Sequence, residues 1–287
     1  QLKGQIYLSG VPSSFVSSNY TEELRAAGLA TPGKLLKQWD ETFGVGGPIK
    51  KDRLWYYVTY RDEGQHRTIP GIFPNLNAGD PTKWEYSPDT SRQARGAESF
   101  QLASVRFTIQ ATQRNKFNVH WDLQWPCNGA SFTTGDACRE QSDGSVVGPL
   151  GLGGLSATTS PETSGYLRTT VQNRQVTWQN PITNKLLLEA GLGSYVAAWG
   201  PFEAPGNVTR GLVRVTEITA RNGAVANFNY RSANWADNWD NPNRWRGSAS
   251  YVTGAHSMKF GYEGSYLVED IENHGNDLNL AYQFNGG

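Results

Sequence analysis

The groups able to do chemistry in this 287-residue chain are 26 carboxylates, four histidines and two cysteines, and the richest mixture of acids with rings is residues 234–243. There Trp235 and Trp239 alternate with Asp237, Asp240 and several amides. Rings with polar edges stack on sugars or aromatic ligands while acids and amides bond their rims. The same two carboxylates could instead help hold Ca²⁺, although the central glycine and terminal glutamate of an EF-hand are missing. A plain Asx-rich turn packed by tryptophan has the same composition. A second acidic group, Glu269, Asp270, Glu272 and Asp277, reads either as an attractor for cationic or metal-bearing ligands or as solvated loop charge.

Catalytic patterns are weaker. Paired carboxylates hydrolyse glycosides on all-β scaffolds, and Glu189 and Glu263 fall at inward strand positions, but no spacing sets them against one bond. No G-x-S-x-G is present, and Gly151-Leu152-Gly153-Gly154 lacks the third glycine of a dinucleotide fingerprint. His66, His120, His256 and His274 are scattered without ligand spacing. The expectation is a protein that is not an enzyme and has no cofactor. Cys127 and Cys138 share one polar stretch with Gly129, Gly135 and Asp136 nearby. A disulfide closing a tight loop in an oxidising compartment is the first reading and two free thiols the other.

The elements that would position these groups are strands. Composition favours them: 32 glycines, ten tryptophans, 12% aromatics and one methionine suit many strands and turns. Zero net charge argues against a nucleic-acid partner. No apolar run approaches the roughly 18 residues of a membrane helix, a test that alternating barrel strands escape. The clearest strand is 115–125, where Phe117, Val119, Trp121, Leu123 and Trp125 alternate with Lys116, Asn118, His120, Asp122 and Gln124. Residues 103–111 alternate likewise across a turn at 113–114, and 52–62, 185–199, 244–251, 257–268 and 278–284 repeat the pattern. Weaker runs at 3–9, 36–46 and 166–178 bring the expectation to about ten strands.

Connection lengths alternate too. Short turns at 47–51, 113–114, 179–184 and 255–256 separate long stretches at about 10–35, 63–99, 126–165 and 200–243. Outer-membrane barrels have this rhythm, with short periplasmic turns and long external loops. Trp39, Trp125, Trp178, Trp199 and Trp245 fall near the ends of the expected strands, like the aromatic girdles of a bilayer-spanning barrel. The fold expected is therefore all-β, an antiparallel transmembrane β-barrel segment, with Arg53, Arg106, His120, Asp122 and Glu189 facing its lumen. Thr21 before Glu22, Glu23 and Leu24 predicts a short capped helix inside the first long loop.

Two hairpins carry a resemblance. The run Gly46-Gly47-Pro48-Ile49-Lys50-Lys51-Asp52-Arg53-Leu54-Trp55-Tyr56-Tyr57 resembles a hairpin of TonB-dependent outer-membrane receptors, specifically the Oar-like branch. Thr253-Gly254-Ala255-His256-Ser257-Met258-Lys259-Phe260-Gly261-Tyr262-Glu263 resembles a second one in the expected order. In both, the glycines are read as the residues that let the chain reverse. The resemblance implies a large barrel of roughly 22 strands, an N-terminal plug inside it, and a periplasmic segment engaging TonB. Residues 1–287 would be barrel alone, a piece of a longer chain, with no plug domain visible. The partners implied are the lipid bilayer, TonB through the missing plug, and a small to medium extracellular ligand such as a siderophore, vitamin, glycan or peptide. The place implied is the outer membrane of a Gram-negative bacterium. A secreted or surface β-rich binding or filament-forming protein is the alternative.

Overall fold

A computed structural model of the chain describes residues 1–29, 31–129, 138, 150–151, 154–155, 158–163, 167–203 and 206–286. Gly135, Asp136, Leu152 and Gly153 lie outside the described residues. Nine strands form one antiparallel sheet in chain order: β1 (Lys3–Pro12), β2 (Leu35–Lys50), β3 (Leu54–Thr68), β4 (Arg95–Gln110), β5 (Lys116–Asn128), β6 (Val171–Pro181), β7 (Leu186–Trp199), β8 (Asn238–Thr253) and β9 (His256–Asp270). A two-residue strand, Leu167–Arg168, extends the pairing of β5. Connections of 51–53, 111–115, 182–185 and 254–255 lie at one end of the sheet, and the strand ends at Pro12 and Leu35, Thr68 and Arg95, Asn128 and Val171, and Trp199 and Asn238, from which the long connections leave, lie at the other. Among the described residues β1 pairs only with β2 and β9 only with β8.

Side-chain hydroxyls organise two short turns: Thr112 Oγ1 accepts from Asn115 N at 3.1 Å, and Thr183 Oγ1 from Leu186 N at 3.0 Å. Gly254, at φ +53°, serves the last. The first turn departs from expectation. Gly46, Gly47 and Pro48 do not reverse the chain but lie inside β2, opposite Tyr57, Tyr56 and Trp55. Reversal comes at Lys51–Arg53, where Asp52 takes φ +59°. Gly46 is needed for room, because a Cβ there would stand 2.6 Å from the Tyr57 ring. Gly264 seats the Trp245 ring in the same way, with 2.6 Å to an added Cβ.

The registers sort side chains into two faces. Tyr56, Phe107, Val119, Val176, Leu192 and Trp245 form one row across six strands. One residue along, on the opposite face, the row reads Tyr57, Arg106, His120, Gln175, Gly193 and Arg244. The apolar face is open to its surroundings: Trp121 is 46% exposed, Leu192 65% and Phe260 70%. A soluble sandwich would bury such a face under a second sheet.

The largest buried apolar cluster lies in the long connections instead. Ile69, Ile72, Tyr86, Ala94, Val215, Ala224, Phe228 and Tyr230 pack together with Trp84 and Phe284 against them. A three-stranded sheet crosses this layer, Phe228–Tyr230 antiparallel and Ala281–Phe284 parallel to Arg214–Glu217. The alternating run at 278–284 is therefore no tenth strand of the large sheet. Its Tyr282 stacks on Trp84 at 5.6 Å, an apolar seat that satisfies the same period-two pattern. Trp245 also differs from expectation, lying mid-strand because β8 begins at Asn238. Residues 238–243, rich in Asn, Asp and Pro, look like loop, and the ladder between β7 and β8 does lapse beside Pro242, which has no N–H to donate. The predicted helix is present at Glu22–Ala26, with Thr21 Oγ1 accepting from Leu24 N at 3.3 Å.

The two faces predict opposite sensitivities. Trp121→Asp puts a charge on the apolar face and should cost about 1–3 kcal/mol of folding in lipid, whereas His120→Ala should leave the folded yield unchanged. Heat-modifiable gel migration after refolding into micelles measures both, and equal yields would reverse the face assignment.

Candidate functional site

The polar face is a quilt of local pairs. Asp122 is 5% exposed because its carboxylate is covered by His120 Nε2 at 3.1 Å, Gln124 Nε2 at 2.8 Å and Asn173 Nδ2 at 3.2 Å. Arg61 binds both oxygens of Asp40, at 3.1 and 2.9 Å, and Glu63 at 2.6 Å. Glu189 meets Lys259 Nζ at 3.0 Å and Gln179 Nε2 at 3.2 Å. Thus Arg106, His120, Asp122 and Glu189 share this face without forming one site, while Arg53 sits in the Lys51–Arg53 turn. Register places Glu189 opposite Ser248 and Glu263 opposite Arg246, so β8 lies between the two glutamates considered for catalysis.

Where β7 carries Gly191 and Gly193, the polar face sinks into a trough of about 810 Å³ bounded by Gln175, Tyr195, Arg244, Arg246 and Glu263. Sequence reasoning missed these residues as a group. The signal was Gly-x-Gly inside a strand, which marks close approach by another group.

Toward the long connections the outward face changes character. Asp62 accepts from Trp39 Nε1 at 2.9 Å and Gln101 Nε2 at 3.0 Å, and His66 Nε2 lies 2.7 Å from the Cys138 carbonyl oxygen. Asp62 and His66 are both fully buried. Cys138 is tied to Cys127, at the end of β5, by a disulfide with 5.7 Å between Cα atoms, as their shared stretch suggested. Buried polar groups at outward positions mark where this face stops being apolar.

The four residues of the proposed ligand loop do not converge. Trp235 is half-buried and stacks on His274 at 3.9 Å and 15°, with the Arg210 guanidinium 5.4 Å from its ring. Asp237 is exposed, its N–H donating to Glu272 O at 3.0 Å. Trp239 and Asp240 are successive residues of β8, so they take opposite faces, Trp239 the apolar and Asp240 the polar. Among the described residues no group of three or more His, Cys, Asp or Glu side chains is placed to hold a metal. The second acidic group is also dispersed: Asp277 pairs with Arg210, Glu272 with His274 at 3.4 Å, and Glu269 stands opposite Asp240.

Two polar residues organise the loop layer. The Arg231 guanidinium donates to the carbonyls of Pro81, Lys83 and Val213 at 2.8, 3.0 and 3.1 Å and lies 3.7 Å from the Trp84 ring centre. Its backbone N–H donates to Glu162 Oε1 at 3.2 Å, as does Asn75 Nδ2 at 2.7 Å, and Ser160 Oγ bonds the other oxygen. Burial pushes the Glu162 carboxyl above the ordinary carboxylate range, the hydrogen bonds opposing it. Three separate connections are thereby joined at one carboxyl.

No family model matches the chain, and no curated protein is similar to it in sequence. Its fold is similar to that of the outer membrane transporter YddB from Escherichia coli, with a TM-score of 0.52 and 9% identity over 99% of this chain and 33% of that one. The chain thus spans about a third of the transporter's length. The nine-stranded sheet has the fold of an outer-membrane barrel segment.

Glu162 supplies a test of the layer. Glu162→Ala strands the Asn75 amide and the Arg231 N–H and should destabilise the layer by about 1–3 kcal/mol, whereas Glu162→Gln should be tolerated. A raised folded pKa means the folded state holds the extra proton, so wild-type layer stability is highest at acid pH and falls as pH rises above the ordinary carboxylate range. Protease susceptibility of the long connections against pH measures this, and Glu162→Gln should flatten the profile.

Proposed function

We propose that this chain is the wall of an outer-membrane receptor or transporter in a Gram-negative bacterium, importing a ligand too large or scarce for porins: a siderophore, vitamin, glycan or peptide. The observation that carries the proposal is the open apolar face of the sheet, backed by a polar face, in a fold that follows an outer membrane transporter over 99% of this chain. An exposed band of rings and aliphatic side chains is stable against lipid and a liability in water. Further strands, giving roughly 22 in all, would pair with the free edges of β1 and β9. Arg106, His120, Asp122 and Glu189 then line the lumen or meet a plug, and the loop layer meets the ligand from outside. Coupling through TonB rests on the two hairpin resemblances.

The alternative, a secreted or surface β-rich binding or filament-forming protein, would cover the apolar face with further protein and dissolve without detergent. Intact-mass measurement of the native polypeptide from a detergent-extracted outer-membrane fraction separates the two. The expected mass is several times the 31.6 kDa of this chain. A soluble species near 31.6 kDa would overturn the proposal.

A further inference from the structure

We propose that the trough over Gly191 and Gly193 is a binding site for a solute with two or more acidic groups, carboxylate or phosphate, on the lumenal wall. The inference names a ligand class for the wall and rests on reading the polar face as a lumen.

Register builds the site. Arg246 stands directly opposite Gly191 and Arg244 opposite Gly193, so two cations on β8 each face a position without a side chain on β7. The Arg246 guanidinium lies over Gly191, where an added Cβ would meet its Nε at 3.2 Å. The floor at Gly193 is open, since a Cβ there would meet only the Arg174 carbonyl oxygen at 3.7 Å. Arg244 and Arg246 alternate along one strand, which sets their backbones about 7 Å apart on the same face. That spacing suits two acidic groups on a short frame better than one isolated anion. Gln175 on the β6 side and Tyr195 further along β7 complete the wall.

Two other cations of the face are held by carboxylates, and this pair is not. Arg61 and Lys259 are each bound to carboxylates within 3.1 Å. Neither Arg244 nor Arg246 has an ion-pair partner within 4.0 Å among the described residues. Glu263 lines the trough opposite Arg246 without pairing with it, and Glu189, bound to Lys259, reaches Arg246 only at longer range. A guanidinium is a planar fork of donors matched to carboxylate and phosphate oxygens. Two such forks over a vacant floor can close on an acidic solute without displacing an internal partner.

Calorimetric titration of the full native polypeptide containing this chain, in detergent micelles, with citrate and with pyrophosphate at low ionic strength, tests the inference. Saturable binding is expected, and the tighter probe identifies the acid. The double variant Arg244→Gln/Arg246→Gln should lose at least tenfold in affinity, and Arg114→Gln, a turn cation outside the trough, should lose none. Gly193→Val should weaken binding with both arginines present, because it fills the floor. Glu263→Gln should tighten binding several-fold by removing the carboxylate that lines the trough. Heat-modifiable migration confirms that each variant is folded. Failure of both probes to bind, or equal binding by wild type and the double variant, would overturn the proposal. Binding in micelles needs no uptake, so such a failure would leave the membrane reading standing, and a soluble native chain would not erase a measured anion site.

Discussion

The antiparallel ladder is the constraint from which the other features follow. Hydrocarbon offers no partner to a backbone N–H or C=O, and each one left unpaired costs several kcal/mol, so a spanning sheet must satisfy every group along its strands. Registers running from β1 to β9 do this apart from the lapse beside Pro242 and the shifts at the two ends of the β2–β3 ladder, and they also fix parity, since a slip of one residue would exchange the two faces. Parity then assigns environments. Leu192 faces outward because Trp245 and Val176 do, and Gly193 faces inward because Arg244 and Gln175 do.

Strands of up to 16 residues exceed the roughly 9–11 that a tilted strand needs to cross hydrocarbon. On the proposed membrane reading, the surplus explains the change in chemistry along the outward face. Between Tyr56 and Tyr60 this face carries apolar and aromatic groups, while two residues further Asp62 is buried among Trp39 and Gln101, with His66 beyond it. Burying a carboxylate and an imidazole is tolerable only with hydrogen-bond partners, which the Trp39 indole, Gln101 and the Cys138 carbonyl provide. Above that level globular rules take over. The long connections enclose an aromatic core of their own, and Arg231 stitches them together through carbonyls more than a hundred residues away in sequence.

How much of this was legible depended on how local the governing interaction is. Strand β5 could be read directly, since period-two alternation records a two-faced environment residue by residue. The start of β8 could not, because Asn, Asp and Pro signal turns locally and only the flanking ladders hold them extended. Gly46 and Gly47 were misread for the same reason: glycine serves both tight turns and close cross-strand packing, and the Tyr57 ring that decides between them lies across the sheet. The final aromatic run met an ambiguity of partner, since its alternation suits any sheet and the Trp84 seat is nearly two hundred residues distant. Glu162 and Arg231 left no sequence signal at all. A carboxyl joining three connections is visible only once those connections have been brought together.

Strand β8 ties the layers to one another. It begins just after Trp235, in the loop layer, where Asn238 Oδ1 accepts from Glu272 N at 3.1 Å, and it runs inward through Asp240 to Arg244 and Arg246. At about 3.3 Å per residue the path from Trp235 to Arg244 covers about 30 Å without leaving one segment of chain. On the proposed reading, the stacked Trp235–His274 pair, held by its own two-residue pairing, and the arginine trough, held by the ladder between β7 and β8, are joined by one stretch of chain. The lapse in that ladder beside Pro242 falls between them. Pairing with β9 continues through Pro242, so the lapse frees β8 on its β7 side alone, at the rim of the trough that Pro242 itself lines. The trough's geometry then depends on the intact pairing of Gly193 with Arg244 and Gly191 with Arg246 below that point, which holds both guanidinium groups on one face.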